Sequence, residues 1–135
     1  MRHFRVLADP LAIVRLEPAS PQPSWATGQF VSVTRTESEL SIVCDQSAVP
    51  QSLVAERGWR GLQLEGTFDL DQTGIAAGFT GVLAAAEIAV FVLATHDTDY
   101  VLVRESRLPA AVTALRNAGY GIRDDPSAGN DSSPR

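Results

Sequence analysis

The sequence predicts an α+β fold built from two βαββαβ units, each an antiparallel sheet with helices on one face. Three observations carry that expectation. Residues 59 to 120 read as strand (WRGLQLEG), polar loop (TFDLDQT), helix, strand (AVFVLA), tight turn (THDTD), strand (YVLVRE) and helix (LPAAVTALRNAGY). Apolar residues in the two helical stretches recur with helical spacing, whereas the strand stretches are short and β-branched. The first half runs through a comparable alternation with shorter helical pieces.

In chain order, LAIVRL from Leu11, FVSVTRT from Phe30 and LSIVCD from Leu40 read as strands. Thr36 to Glu39 separates the last two at hairpin distance. Pro18 to Pro23 (PASPQP) reads as a loop, and PSWATG and AVPQSLV as one or two helical turns at most, the second limited by Pro50. In the second half, Ile75, Phe79, Val82, Leu83 and Ala86 form one face of a helix opened by Gly74 and Ile75. Small residues fill its remaining positions. Leu108, Ala111, Val112 and Leu115 repeat the pattern, with Pro109 tolerated in the first turn and Gly119 as the stop. The expected organisation is a first unit over 1–58 with reduced helices and a second over 59–123, with the last strand closing it. The polar, Gly/Pro/Ser-rich residues 124–135 read as a disordered tail.

Composition narrows the function. The 135 residues carry a net charge of -5, so the basic footprint of a nucleic-acid binder is absent. All eleven basic residues are arginine, which removes Schiff-base chemistry and a phosphate-loop lysine. The single cysteine, Cys44, has no partner for an internal disulfide and lies in an apolar run, where a small buried residue is the plain reading. No stretch of eighteen apolar residues suggests a membrane span, and the expected location is cytoplasmic. His3 and His96 are the only imidazoles, and neither stands in a recognisable nucleophile–base arrangement. No catalytic residue, metal site or cofactor is expected.

The order and spacing of WRGLQLEGTFDLDQTGI, the small-residue helix, VFVLATHDTDYVLV and LPAAVTALRNAGY resemble the ACT domain. FVSVTRTESELSIVCDQSAVP with ERGWR resembles the first half of tandem ACT proteins, a group similar to the regulatory end of aspartokinases and to the cytosolic arginine sensor family. The resemblance covers roughly Leu11 to Arg123. It implies ferredoxin-like halves and a regulatory role in which a small effector, commonly an amino acid, binds at the loop entering the first helix. Asp71-Gln72-Thr73-Gly74-Ile75 matches that entry loop, and Thr95, Asp97 and Asp99 match the polar turn that faces the ligand. Thr73 stands where many enzyme-linked relatives have Pro, which leaves the identity of the effector open.

The residues themselves support such a site. A helix N-terminus offers unpaired N–H groups and about half a positive charge. Gly74 lets a carboxylate approach that backbone, Thr73 offers a hydroxyl, and Asp97 or Asp99 suits an ammonium group. Plainer roles stand beside these: Asp71 and Thr73 as helix caps, Asp97 and Asp99 as turn formers. His96 beside two carboxylates is weak metal-ligand geometry. Trp25 and Trp59 read as core or interface anchors, and Arg57 and Arg60 as solvated charges, with pairing to acidic partners as the alternative. The functional expectation is a non-enzymatic sensor or regulatory protein that binds an amino acid through Asp71, Thr73, Gly74, Ile75, Thr95, Asp97 and Asp99. The alternative is an interaction module without a ligand, forming a homodimer or docking on a partner enzyme.

Overall fold

The computed structural model describes residues 2–69 and 71–124; Leu70 and most of the expected tail, from residue 125 on, lie outside the described residues. The chain divides into two units. One holds the residues up to Ala8 and those from Arg60 onward, and the other is Asp9–Trp59.

The larger unit begins with β1 (His3–Val6) and continues with the end of β5 (Glu56–Leu64), α1 (Ile75–Ala85), β6 (Phe91–Ala94), β7 (Asp99–Arg104), α2 (Leu108–Asn117) and β8 (Gly121–Asp124). From β5 to β8 this is the ferredoxin-like βαββαβ order, in an α+β fold. β7 pairs with β5 and with β6, the latter antiparallel from Phe91 opposite Leu102 to Ala94 opposite Asp99. β1 lies between β5 and β8. It is antiparallel to β5, with Phe4 opposite Leu64, and parallel to β8, with Phe4 opposite Ile122. Two features thus depart from the sequence reading: His3–Val6 is a strand, and one pairing is parallel. The strand also belongs with the later unit, although it lies inside the 1–58 stretch of the sequence reading.

The core of this unit explains why β1 is held. Phe4, Val6, Leu62, Leu64, Val101 and Val103 point from the strands toward Phe79, Leu83, Ala111 and Leu115 of the helices, and all are buried. The Phe4 ring meets Phe79 edge-on at 5.4 Å and Tyr120 at 5.4 Å. Burial of one such ring contributes roughly 1.5–3 kcal/mol. Both helices carry the stripes expected of them. Phe79 and Leu83 of α1 are buried, with Ile75, Val82 and Ala86 packed beside the same core. Gly119, at φ 101°, follows the α2 cap Ala118, where a residue without a β-carbon turns the chain freely.

In the unit Asp9–Trp59, β2 (Leu11–Leu16) pairs antiparallel with β4 (Leu40–Asp45), which pairs antiparallel with β3 (Ser32–Arg35). The start of β5 pairs with β2, Leu11 lying opposite Trp59. Ala12, Val14, Leu40, Ile42, Cys44 and Val49 are buried together, with Trp25, Val33 and Leu53 packed against them. Among the described residues no α-helix forms here. PSWATG holds one turn, the Ala26 N–H donating to the Pro23 carbonyl, and AVPQSLV another, Leu53 N–H to the Pro50 carbonyl, after a 3-10 turn Gln46–Ala48 capped by Asp45 accepting from the Ser47 N–H. Pro50 cannot donate to a helix, and loop side chains do the covering instead. Burial pushes the Cys44 thiol above its ordinary pKa, so the thiolate that cysteine reactions need is disfavoured.

Two arginines read as solvated are bound instead. Arg60 Nη2 donates to the Leu7 carbonyl at 3.0 Å, and Arg57 Nη2 to the carbonyls of Pro50 and Leu53 at 3.0 and 3.2 Å.

Candidate functional site

The site starts with the way α1 begins. Gly74 is the cap residue at φ 83°, ψ -5°, a left-handed conformation that costs glycine little and other residues more. No side chain caps this end, and its first turn has no acidic residue. The first helical bond runs from the Gly78 N–H to the Gly74 carbonyl at 3.0 Å. The N–H groups of Ile75, Ala76 and Ala77 therefore have no acceptor one helical turn back.

Those residues line a cleft of about 280 Å³. Its opposite wall is the turn between β6 and β7. There Thr95 and Thr98 hold each other: the Thr95 N–H and hydroxyl donate to the Thr98 carbonyl at 2.8 and 3.1 Å. The Thr98 hydroxyl donates to the carbonyl of Leu64 at 2.6 Å, tying the turn to β5. The third wall comes from the loop after β5. Phe68 donates its N–H to the Asp97 carbonyl at 2.8 Å, and the Arg2 guanidinium carbon stands 4.9 Å from the centre of its ring. The cleft is thus a notch between a helix end and a turn, both pinned by backbone bonds.

Its polarity is two-ended. Unpaired amides of the helix N-terminus supply about half a positive charge on one side. Asp69, Asp97 and Asp99 line the cleft, and no arginine does. Asp97 Oδ1 lies 2.9 Å from Nδ1 of His96, with both side chains exposed. Such an arrangement can hold a small molecule carrying a carboxylate and a cation a few ångströms apart.

Of the residues singled out from sequence, Gly74, Ile75, Thr95, Asp97 and Asp99 line this one cleft. Asp71 and Thr73 are exposed and do not line it, and neither caps the helix, because the chain turns at Gly74 itself. Phe68, Asp69 and Thr98 line the cleft without having been singled out, and Gln72, named only as part of the entry loop, lines it too. Only Thr98 had a local signal, as a hydroxyl in a four-residue turn. His96 also lines it, though the sequence weighed it only as a catalytic base or a metal ligand. No group of three or more His, Cys, Asp and Glu that could hold a metal occurs among the described residues. No helix of the described residues is long and apolar enough to cross a membrane.

Comparison with known proteins gives the geometry a family. The ACT-domain model matches residues 54–117, and a model described as an N-terminal domain matches residues 9–52. The crystal structure of protein Atu0741 from Agobacterium tumefaciens is 36% identical, with a TM-score of 0.86, over 92% of this chain and 93% of that one. The regulatory subunit of aspartate kinase from Thermus thermophilus has the same fold, with a TM-score of 0.55 at 12% identity over 84% of this chain and 97% of that one. The cytosolic arginine sensor for mTORC1 subunit 1 from Homo sapiens is 30% identical over 112 residues, 77% of this chain. The chain spans about a third of the length of that relative, 33%. By name, the human relative is a sensor and the Thermus one a regulatory subunit. Residues 54–117 belong to the ACT-domain family, and the chain is a relative of Atu0741 over nearly its whole length.

Proposed function

We propose that the protein is a regulatory, non-catalytic binder of a free amino acid, acting in the cytoplasm without a cofactor. The observation that carries this reading is the two-ended cleft, with open amides at Ile75–Ala77 facing carboxylates at Asp97 and Asp99. The ligand carboxylate docks on the helix N-terminus, where Gly74 presents no β-carbon, and its ammonium group takes Asp97 or Asp99. Thr95 and Ile75 complete the wall; Asp71 and Thr73 act only by shaping the entry loop. Asp69 adds a third carboxylate, more than one ammonium group needs, which favours an amino acid with a second cationic group. The arginine sensor among the relatives supports arginine as the first candidate. Thermal-shift and calorimetric titration against the twenty amino acids test the reading. An amino acid should raise the melting temperature of the wild-type chain, and Asp97→Ala should abolish that response. No shift with any of them at millimolar concentration overturns it.

One observation favours a second reading, an assembly module. Among the described residues β6 has β7 as its strand partner, and Phe91–Ala94 contains no charge and no proline of the kind that blocks strand addition. A second copy, or an enzyme without its own regulatory part, would pair there. Light scattering with and without amino acid separates the two: a dimer indifferent to every amino acid, with no thermal shift, supports assembly alone.

A further inference from the structure

The unit Asp9–Trp59 has a cleft of its own, about 400 Å³, lined among others by Asp9, Asp45, Gln46 and Arg57. It shares no residue with the cleft at α1. Its distinguishing feature is opposite charges that face one space without meeting. Arg57 spends one terminal nitrogen, Nη2, on the carbonyls of Pro50 and Leu53, which fixes the plane of the guanidinium. Neither bond uses its Nε or Nη1 donors. Asp45 commits one oxygen, Oδ1, to the N–H and hydroxyl of Ser47 at 3.0 and 2.9 Å and keeps the other open. Gln46 accepts the Gly58 N–H on Oε1 at 2.6 Å, which orients its amide NH2 group away from that bond. The exposed Asp9 carboxylate has no partner among the described residues.

An arginine and two aspartates around one cavity, none paired with another, leave a pre-oriented donor fork and acceptors that only a third party can satisfy together. A simple anion would serve Arg57 and be repelled by the aspartates, and a simple cation the reverse. A zwitterion serves both. We infer that this cleft is a second binding site, for a free α-amino acid, with the carboxylate on Arg57 and the Gln46 amide and the ammonium group on Asp9 and Asp45. Pre-orientation of Arg57 by two backbone carbonyls lowers the ordering cost of the pair it forms with the ligand.

The test is amide-resolved NMR of the full chain titrated with each of the twenty amino acids and with the carboxylate-free amino-acid amides. At least one amino acid should move the signals of Gln46, Ser47 and Gly58 in a saturable way, and its amide should bind about tenfold or more weakly, as expected for loss of one charge-assisted pair. Asp9→Asn, a surface change of equal shape, should weaken those shifts about tenfold with the spectrum otherwise intact, and Arg57→Lys should do so without losing the charge. Shifts confined to Gly74–Ala77 overturn the second cleft while leaving the first in place. Shifts at Gln46 that survive both substitutions, or that the amino-acid amides reproduce equally, overturn it too, as does the absence of any shift there.

Discussion

The hydroxyl of Thr98 donates to the carbonyl of Leu64 at 2.6 Å, and Thr98 is the one buried polar residue among those described. This bond joins the end of β5 to the turn that forms one wall of the cleft. Removing it leaves a strand carbonyl without its partner. Thr98→Val should cost about 1–3 kcal/mol, the penalty of an unsatisfied buried group, read from urea unfolding. Thr98→Ser keeps the hydroxyl and should recover most of the loss. The Val variant should also bind amino acid more weakly, because the Thr95–Asp97 wall loses its anchor.

Phe4 makes the later unit depend on the start of the chain. Its ring is fully buried between Phe79 and Tyr120, and β1 fills the space between β5 and β8. Phe4→Ala should destabilise by about 3–5 kcal/mol. A fragment of residues 59–123, the second unit of the sequence reading, lacks this strand and should show no cooperative unfolding. Supplying residues 2–8 through a fused linker should restore it. A fragment that melts cooperatively on its own contradicts this dependence.

Gly74→Ala places a β-carbon on a left-handed residue. Nothing lies within 4 Å of that β-carbon, so the cost is conformational alone, about 1–2 kcal/mol. The helix entrance should relax toward negative φ and its amides should turn from the cleft. Calorimetry should show weaker amino-acid binding than this stability loss explains.

The pair Glu65–Arg123 sets an acid-dependent element of stability. Arg123 donates Nε to Oε1 at 2.8 Å and Nη2 to Oε2 at 2.5 Å, and this bidentate bond holds the Glu65 carboxyl below its ordinary pKa. A carboxyl lowered in the folded state stabilises the fold above the ordinary glutamate range, and that contribution is lost as pH falls through the lowered value. Arg123→Ala should therefore lower the urea midpoint at pH 7, and its difference from wild type should shrink as pH falls through the lowered value. A loss that stays equal across the acid range contradicts an electrostatic origin.

The two helices were legible because their stripes are local. Phe79 and Leu83, or Ala111 and Leu115, lie one turn apart and need no distant partner to declare a face. β2 and β4 were legible as short β-branched runs between turn residues. His3–Val6 was not, since four residues ahead of Asp9-Pro10 carry no period, and their pairing comes from Leu62, Leu64 and Ile122, far along the chain. The stretches read as one or two turns at most form single turns, Pro23–Ala26 and Pro50–Leu53, and loop side chains such as Trp25 and Leu53 cover that core. At the cleft, Gly74 and Asp97 stood out as residue types with special backbone or charge. Phe68, Asp69 and Gln72 join them only because the Phe68–Asp97 backbone bond folds that loop onto the turn.

The central claim is that an amino acid binds between the start of α1 and the β6–β7 turn. A crystal structure of the full chain grown with saturating arginine, or with whichever amino acid most raises its melting temperature, tests it most directly. The account predicts the ligand carboxylate at about 2.7–3.2 Å from amides within Ile75–Ala77 and the ammonium group on Asp97 or Asp99. An unoccupied cleft at Gly74, or a ligand whose carboxylate faces Asp97 rather than the helix, would contradict it.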